Sequence, residues 1–155
     1  LGGFDGDFFA HMEEIDFCWR AQLAGYRIRV EPRSTVFHVG GGTLPNNSPQ
    51  KIYLNFRNNL CRLFKNLSPG TFWPVLFSRM VLDGTATLVF LVQGHPDFFK
   101  KVFRAHIDFH RKRKSLHEKR RAIQRHRVAR PHGILRNSII LLHAFGYRTF
   151  DKVMR

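Results

Sequence analysis

Three carboxylates fall within four residues of the stretch Phe8-Phe9-Ala10-His11-Met12-Glu13-Glu14-Ile15-Asp16-Phe17-Cys18-Trp19-Arg20, and most of their neighbours are apolar or aromatic. Charge in such company must be paired, capped or put to use, because an isolated buried charge is expensive. Met12, Ile15, Trp19 and Leu23 recur at helical spacing, so the pattern predicts a helix over residues 12–24, with Gly25 where a C′ glycine ends it. In that helix Asp16 and Arg20 stand one turn apart in the favourable acid-before-base order. Glu13 shares a face with Asp16, and Glu14 looks back toward the preceding loop. Two readings fit these acids. They complement the positive end of the helix dipole. Alternatively, carboxylates crowded together against Phe and Trp resist ionisation, which makes one of them a proton acceptor. On the second reading Glu14 is the base and Asp16–Arg20 is the fixed pair that orients the turn.

The flanking text adds structure. Leu1 to Asp7 reads as a glycine-punctuated loop. Tyr26-Arg27-Ile28-Arg29-Val30 alternates as a strand that Pro32 closes, and Ser34 to Val39 makes a second short strand containing His38. Thr43 to Gln50 is polar and proline-broken, a mobile loop with the character of a lid. Lys51 to Leu67 carries one apolar stripe, Ile52, Phe56, Leu60, Leu63, Phe64 and Leu67, and is expected to be helical.

Several of these words occur together. Gly2-Gly3-Phe4-Asp5, the acidic stretch through Arg20, Gly25-Tyr26-Arg27-Ile28, Phe37-His38-Val39-Gly40-Gly41-Gly42-Thr43, and Tyr53, Arg57-Asn58, Leu60 and Lys65-Asn66 follow one another. Over residues 1–67 the series resembles the C-terminal part of the catalytic domain of family 2 glycosyltransferases, especially the rhamnosyltransferase-like members. The resemblance implies a GT-A (Rossmann-like) α/β fold whose N-terminal nucleotide-binding half is missing. It also implies inverting transfer of a sugar from a nucleotide-diphosphate donor to a hydroxyl of a glycan or lipid-linked acceptor, at the cytoplasmic face of a bacterial inner membrane. Glu14 then takes the acceptor proton with Glu13, Asp16 and Arg20 around it, where the family usually has Asp in place of Glu14. Gly2, Gly3, Phe4 and Asp5 lie beside the acceptor; Gly6 stands where the family usually has an acid, so no charge role is carried over there. His38 helps hold a divalent cation, Mg or Mn, on the diphosphate, and Arg57 meets the diphosphate or a catalytic carboxylate, with a structural salt bridge as the competing role. Asp5-Gly6-Asp7 has the spelling of the family's metal-binding Asp-x-Asp pair but not its place.

Residues 68–155 read differently, as a helical, basic extension. The net charge is +15, yet residues 1–31 hold six of the eleven acids, while 100–130 hold thirteen Lys/Arg against Asp108 and Glu118. Residues 71–94 are apolar, interrupted by Pro74, Arg79, Asp83 and Gly84, and suit a pair of helices that lie in a membrane interface or pack on the domain. Residues 97–130 suit a basic amphipathic helix against an anionic membrane surface, with Phe98, Phe99, Phe103 and Phe109 entering the headgroup layer. Residues 134–145 form a last apolar helix. A basic membrane- or nucleic-acid-binding module without catalysis is the alternative, although no common nucleic-acid motif is present and no nucleic-acid partner is expected. A metal hydrolase built on His11, Glu14 and His38 ranks last, for lack of ligand spacing. Cys18 and Cys61 are too few for a disulfide framework.

Overall fold

The computed structural model describes residues 1–37, 44–45, 48–131 and 146. Among them are five helices: α1 Glu13–Leu23, α2 Pro49–Asn66, α3 Pro69–Val92, α4 Pro96–Arg111 and α5 Arg113–Arg125. None of the described residues is in a strand.

The α/β expectation, and with it the Rossmann-like GT-A arrangement, is therefore overturned. Residues 26–30 and 34–37 are irregular. A strand needs a neighbouring backbone to complete its hydrogen bonds, and among the described residues none forms a ladder with them. Their alternation has no face to bury either: Tyr26, Ile28, Val30, Val36 and Phe37 are all exposed. The sequence period was strand-like, but tertiary pairing decides whether a strand forms.

Local chemistry sets the helix ends. α1 closes in a Schellman motif, with Gly25 at φ +90° and bonds from Gly25 N–H to the Gln22 carbonyl and from Tyr26 N–H to the Ala21 carbonyl, both 3.0 Å. Ser48 caps α2 by accepting from Lys51 N–H at 3.2 Å, and Pro49 occupies the first helical position. Pro69 does the same for α3, which continues unbroken through Pro74 and Gly84 where the sequence suggested two helices. The expected single basic helix divides at Lys112 into α4 and α5. The last apolar segment, 134–145, lies outside the described residues.

α2 is the central element and touches each of the other four. Phe64 is its hub, with the rings of Phe72 at 5.2 Å, Phe109 at 5.8 Å and His117 at 4.9 Å, all edge-on. At its C-terminal end α2 meets the start of α3 through Phe64–Phe72, and farther back it meets the end of α3 through Phe56–Phe90, so the two run antiparallel. α5 seals the C-terminus of α2. Arg120 donates to the Phe64 carbonyl at 2.6 Å, and Gln124 Nε2 donates to the carbonyls of Lys65, Asn66 and Leu67 at 3.2–3.3 Å. Those carbonyls have no partner inside the helix. One core cluster takes Phe8, Leu60 and Leu67 together with Phe72, Phe109 and Leu116. Residues on either side of the 67/68 boundary thus share a single interior.

Asp16 lies inside that interior, fully buried, and accepts from Arg20 Nε at 2.9 Å, Lys65 Nζ at 3.1 Å and Asn66 Nδ2 at 2.8 Å. This fastens α1 to α2. Removing one member of a buried ion pair strands the others. Asp16→Ala is therefore expected to lower the unfolding free energy by about 3–5 kcal/mol in urea titration. A loss under about 1 kcal/mol would put the cluster at the level of a surface ion pair.

Candidate functional site

The segment 1–12 is tied down almost entirely by side chains of α1, α2 and α5. Gly2 and Gly3 both take positive φ (+73° and +72°), in a turn that leaves the Leu1 and Gly3 carbonyls facing Arg20. Arg20 receives them: Nη1 donates to the Leu1 carbonyl and Nη2 to the Gly3 carbonyl, each at 2.7 Å, while Nε stays on Asp16. Phe4 rests edge-on against Phe17 at 5.5 Å. Farther along, Asn58 Nδ2 donates to the carbonyls of Phe8, Ala10 and His11 at 3.0, 2.8 and 2.8 Å. Arg57 braces Asn58 Oδ1 at 2.9 and 2.7 Å and also reaches the Asp7 carbonyl at 2.9 Å. These bonds hold three non-glycine residues in the left-handed region, Phe9 at φ +63°, His11 at +68° and Met12 at +73°. Each such residue costs on the order of 1–3 kcal/mol, and α1 begins at the very next residue, Glu13.

The carboxylates that follow are treated unequally. Asp16 is sealed off, with all its partners supplied by the fold. Glu13 is half-buried, and its Oε2 is enclosed without a hydrogen-bond partner. Glu14 is exposed. Arg62, over the Trp19 ring at 5.7 Å, is the nearby cation. Burial and Arg79 pull the Arg62 pKa down from its usual value, against the opposing fields of Asp16 and Glu14. Of the four residues expected to act together here, Glu14 is open to solvent, while Asp16 and Arg20 form part of the frame.

Asp5 and Asp7 lead to a longer construction. Lys65 Nζ bonds Asp5 at 2.5 Å as well as Asp16, and lies over the Phe8 ring at 4.5 Å. Lys119 of α5 bridges Asp5 and Asp7 at 2.5 and 2.6 Å, and Lys112 takes the other oxygen of Asp7 at 2.9 Å. Charges therefore alternate without a gap: Arg20, Asp16, Lys65, Asp5, Lys119, Asp7, Lys112. Burial alone would raise the pKa of Asp5, but Lys119 and Lys65 outweigh it and hold the carboxyl far below the ordinary range. Lys112 and Lys119 do the same, less strongly, for Asp7. Asp5 was expected beside an acceptor; its oxygens are already engaged by two ammonium groups.

Arg57 contacts no carboxylate through the bonds described above. It does line an open pocket of about 460 Å³ together with Phe9, Gln50, Tyr53, Leu54, Lys101 and Arg104. Arg57, Lys101 and Arg104 all approach the Tyr53 ring, at 5.2, 6.0 and 6.0 Å. The Tyr53 hydroxyl donates to Asp108 at 2.8 Å, and with Arg104 it overcomes the effect of burial and keeps that carboxyl below its usual range. Three cations around one aromatic ring, next to the strained Phe9, form a surface suited to an anionic group.

His38 lies outside the described residues. Among those described, no three His, Cys, Asp or Glu side chains gather as a metal site, and Asp5 and Asp7 are neutralised by lysines. No family model, no curated protein and no solved structure matches the chain.

Asn58, Lys65, Asn66 and Lys119 hold the N-terminal segment and Asp16 in place, and spacing alone does not assign them that part. Asn58 and Lys65-Asn66 stood in the recurrent words of the second helix, which was the available signal. Lys119 sits in a basic run where nothing distinguishes it from its neighbours.

Lowered carboxyl pKa values give a directional forecast. A carboxyl whose pKa falls on folding contributes stability that is complete above its unfolded value, about 3.9, and lost as pH drops through the folded value. Melting temperature should therefore hold between about pH 7 and 5 and fall below about pH 4. Asp5→Asn should melt lower at neutral pH and show a shallower acid limb; an unchanged limb would remove Asp5 from the linkage.

Proposed function

We propose that the chain carries the acceptor-activating part of an inverting glycosyltransferase, with Glu14 as the base. The observation that carries this reading is the strained approach to α1. Three left-handed non-glycine residues, pinned by Asn58, open onto the first turn of α1, where the half-buried Glu13 is followed by the exposed Glu14. Strain of this kind persists only where surroundings over-determine it, and it concentrates at functional sites. The family resemblance of residues 1–67 supplies the reaction class.

In this mechanism Glu14 accepts the proton of an acceptor hydroxyl as that oxygen attacks the anomeric carbon from the side opposite the leaving diphosphate. Asp16 and Arg20 act as positioning residues, since Arg20 ties Asp16 to the Leu1 and Gly3 carbonyls and so sets Gly2, Gly3 and Phe4 along the flank of α1. Glu13 is the less accessible neighbour. The cation-lined pocket at Tyr53, Arg57, Lys101 and Arg104 is suited to the phosphate of a nucleotide-diphosphate sugar or of a lipid-linked acceptor. The divalent cation implied by the resemblance belongs to the same proposal. The described residues do not provide a donor set for it, so no step here is assigned to a metal.

A basic module that binds anionic surfaces without catalysis is the second reading, favoured by the net charge of +15. The two part on one variant. In a transfer assay of the whole protein, Glu14→Gln is expected to reduce turnover by about 10²–10⁴-fold while sugar-nucleotide binding, followed by calorimetry, persists. Undiminished transfer would exclude Glu14 as the base.

A further inference from the structure

α3 is built inside out. Over its 24 residues only Phe72, Leu76 and Asp83 are buried, and its most apolar 18-residue window is 11% buried, whereas the core helix of a water-soluble domain is mostly covered. Its two charged side chains point inward. Asp83 is 1% exposed and forms an ion pair with Arg79 Nη2 at 2.7 Å, and its other oxygen meets His106 Nε2 of α4 at 3.1 Å. Arg79 also lies over the Phe56 ring of α2 at 5.3 Å. The outer side shows Trp73, Phe77, Val81, Leu88 and Val92, each more than half exposed.

The hydroxyls on this helix are closed off as well. Ser78 donates to the Pro74 carbonyl at 2.8 Å, Thr85 to the Val81 carbonyl at 3.1 Å and Thr87 to the Asp83 carbonyl at 2.5 Å. A helix that meets water has no need to turn its charges in and satisfy its hydroxyls on its own backbone. A helix that meets hydrocarbon does, because nothing outside it can accept a hydrogen bond.

We infer that the outer face of α3 is seated among the acyl chains of a lipid leaflet, with the helix lying along the membrane and not across it. Crossing is disfavoured by what flanks it. α4 packs against α3 and carries Lys100 and Arg104, side chains 75% and 69% exposed, which a transmembrane pose would carry into the hydrocarbon. In the leaflet pose these cations remain at headgroup level, where anionic lipid attracts them. A second copy of the chain is the competing cover for the same face, and a net charge of +15 on each copy opposes it. This inference does not depend on the sugar-transfer reading.

Trp73 reports on the face directly, since Trp19 is the other of two tryptophans. The Trp19→Phe protein is to be mixed with vesicles of phosphatidylcholine and phosphatidylglycerol, with and without bromine on the acyl chains. Expected are a blue-shifted Trp73 emission, quenching by the brominated chains, and flotation that survives about 1 M salt, where charge attraction is screened to about 3 Å. Phe77→Asp with Leu88→Asp should weaken partition about tenfold or more while circular dichroism stays unchanged. Water-like Trp73 emission with release of the protein in salt would overturn the inference, leaving the basic surface as the only attachment. A detergent-free dimer that protects Trp73 from aqueous quenchers would overturn it too, in favour of a second copy. Unaltered partition of the folded double variant would do the same.

Discussion

A single buried ammonium group holds this architecture together. Lys65 is 1% exposed and sits between Asp5 of the N-terminal segment and Asp16 of α1, with the Phe8 ring against it. Alone, a lysine there would cost several kcal/mol in lost hydration. With two carboxylates and a ring face it becomes the point where α1, α2 and the first loop meet. From it the alternation of charge extends outward through Lys119 and Lys112, which draws α5 over the same loop. The helices are thus joined by a polar seam as much as by the Phe64 cluster.

That seam changes the meaning of the basic C-terminal half. Viewed as text, residues 100–130 are a run of cations awaiting an anionic partner. In the folded chain Lys112 and Lys119 already have carboxylate partners, while Arg120 and Gln124 close the end of α2. The face of α4 built from Val102, Ala105 and Phe109 packs inward, so Phe109 does not reach a membrane surface, whereas Phe103 remains exposed. Among the described residues from 68 onward, the exposed large apolar side chains belong chiefly to α3.

What the sequence disclosed follows the range of the interactions involved. Helix α1, its glycine stop, the Asp16–Arg20 spacing and the stripe of α2 depend on residues within a turn or two of each other, and periodicity reads them well. Tyr26 to Val30 failed for the opposite reason. Alternation describes a surface ready to pair, and pairing is a long-range event that no local pattern guarantees. The Asp5–Lys119 bridge joins residues 114 positions apart and lay beyond any reading of spacing. The same is true of Asn58 and the strained loop, whose left-handed residues are not glycines and so leave no compositional trace. Glu14 was legible as an acid, but its openness relative to Asp16 was not.

Cys61 lies in the core beside Phe64, and burial pushes its thiol up to about 11. A thiol reacts as thiolate, so in the closed fold this sulfur is chemically silent at neutral pH, while the half-buried Cys18 is not similarly enclosed. The chain thereby contains its own clock for breathing motions: a reagent that labels Cys61 has waited for the helices around α2 to part. Its labelling rate, set against that of Cys18, measures how often the interior opens.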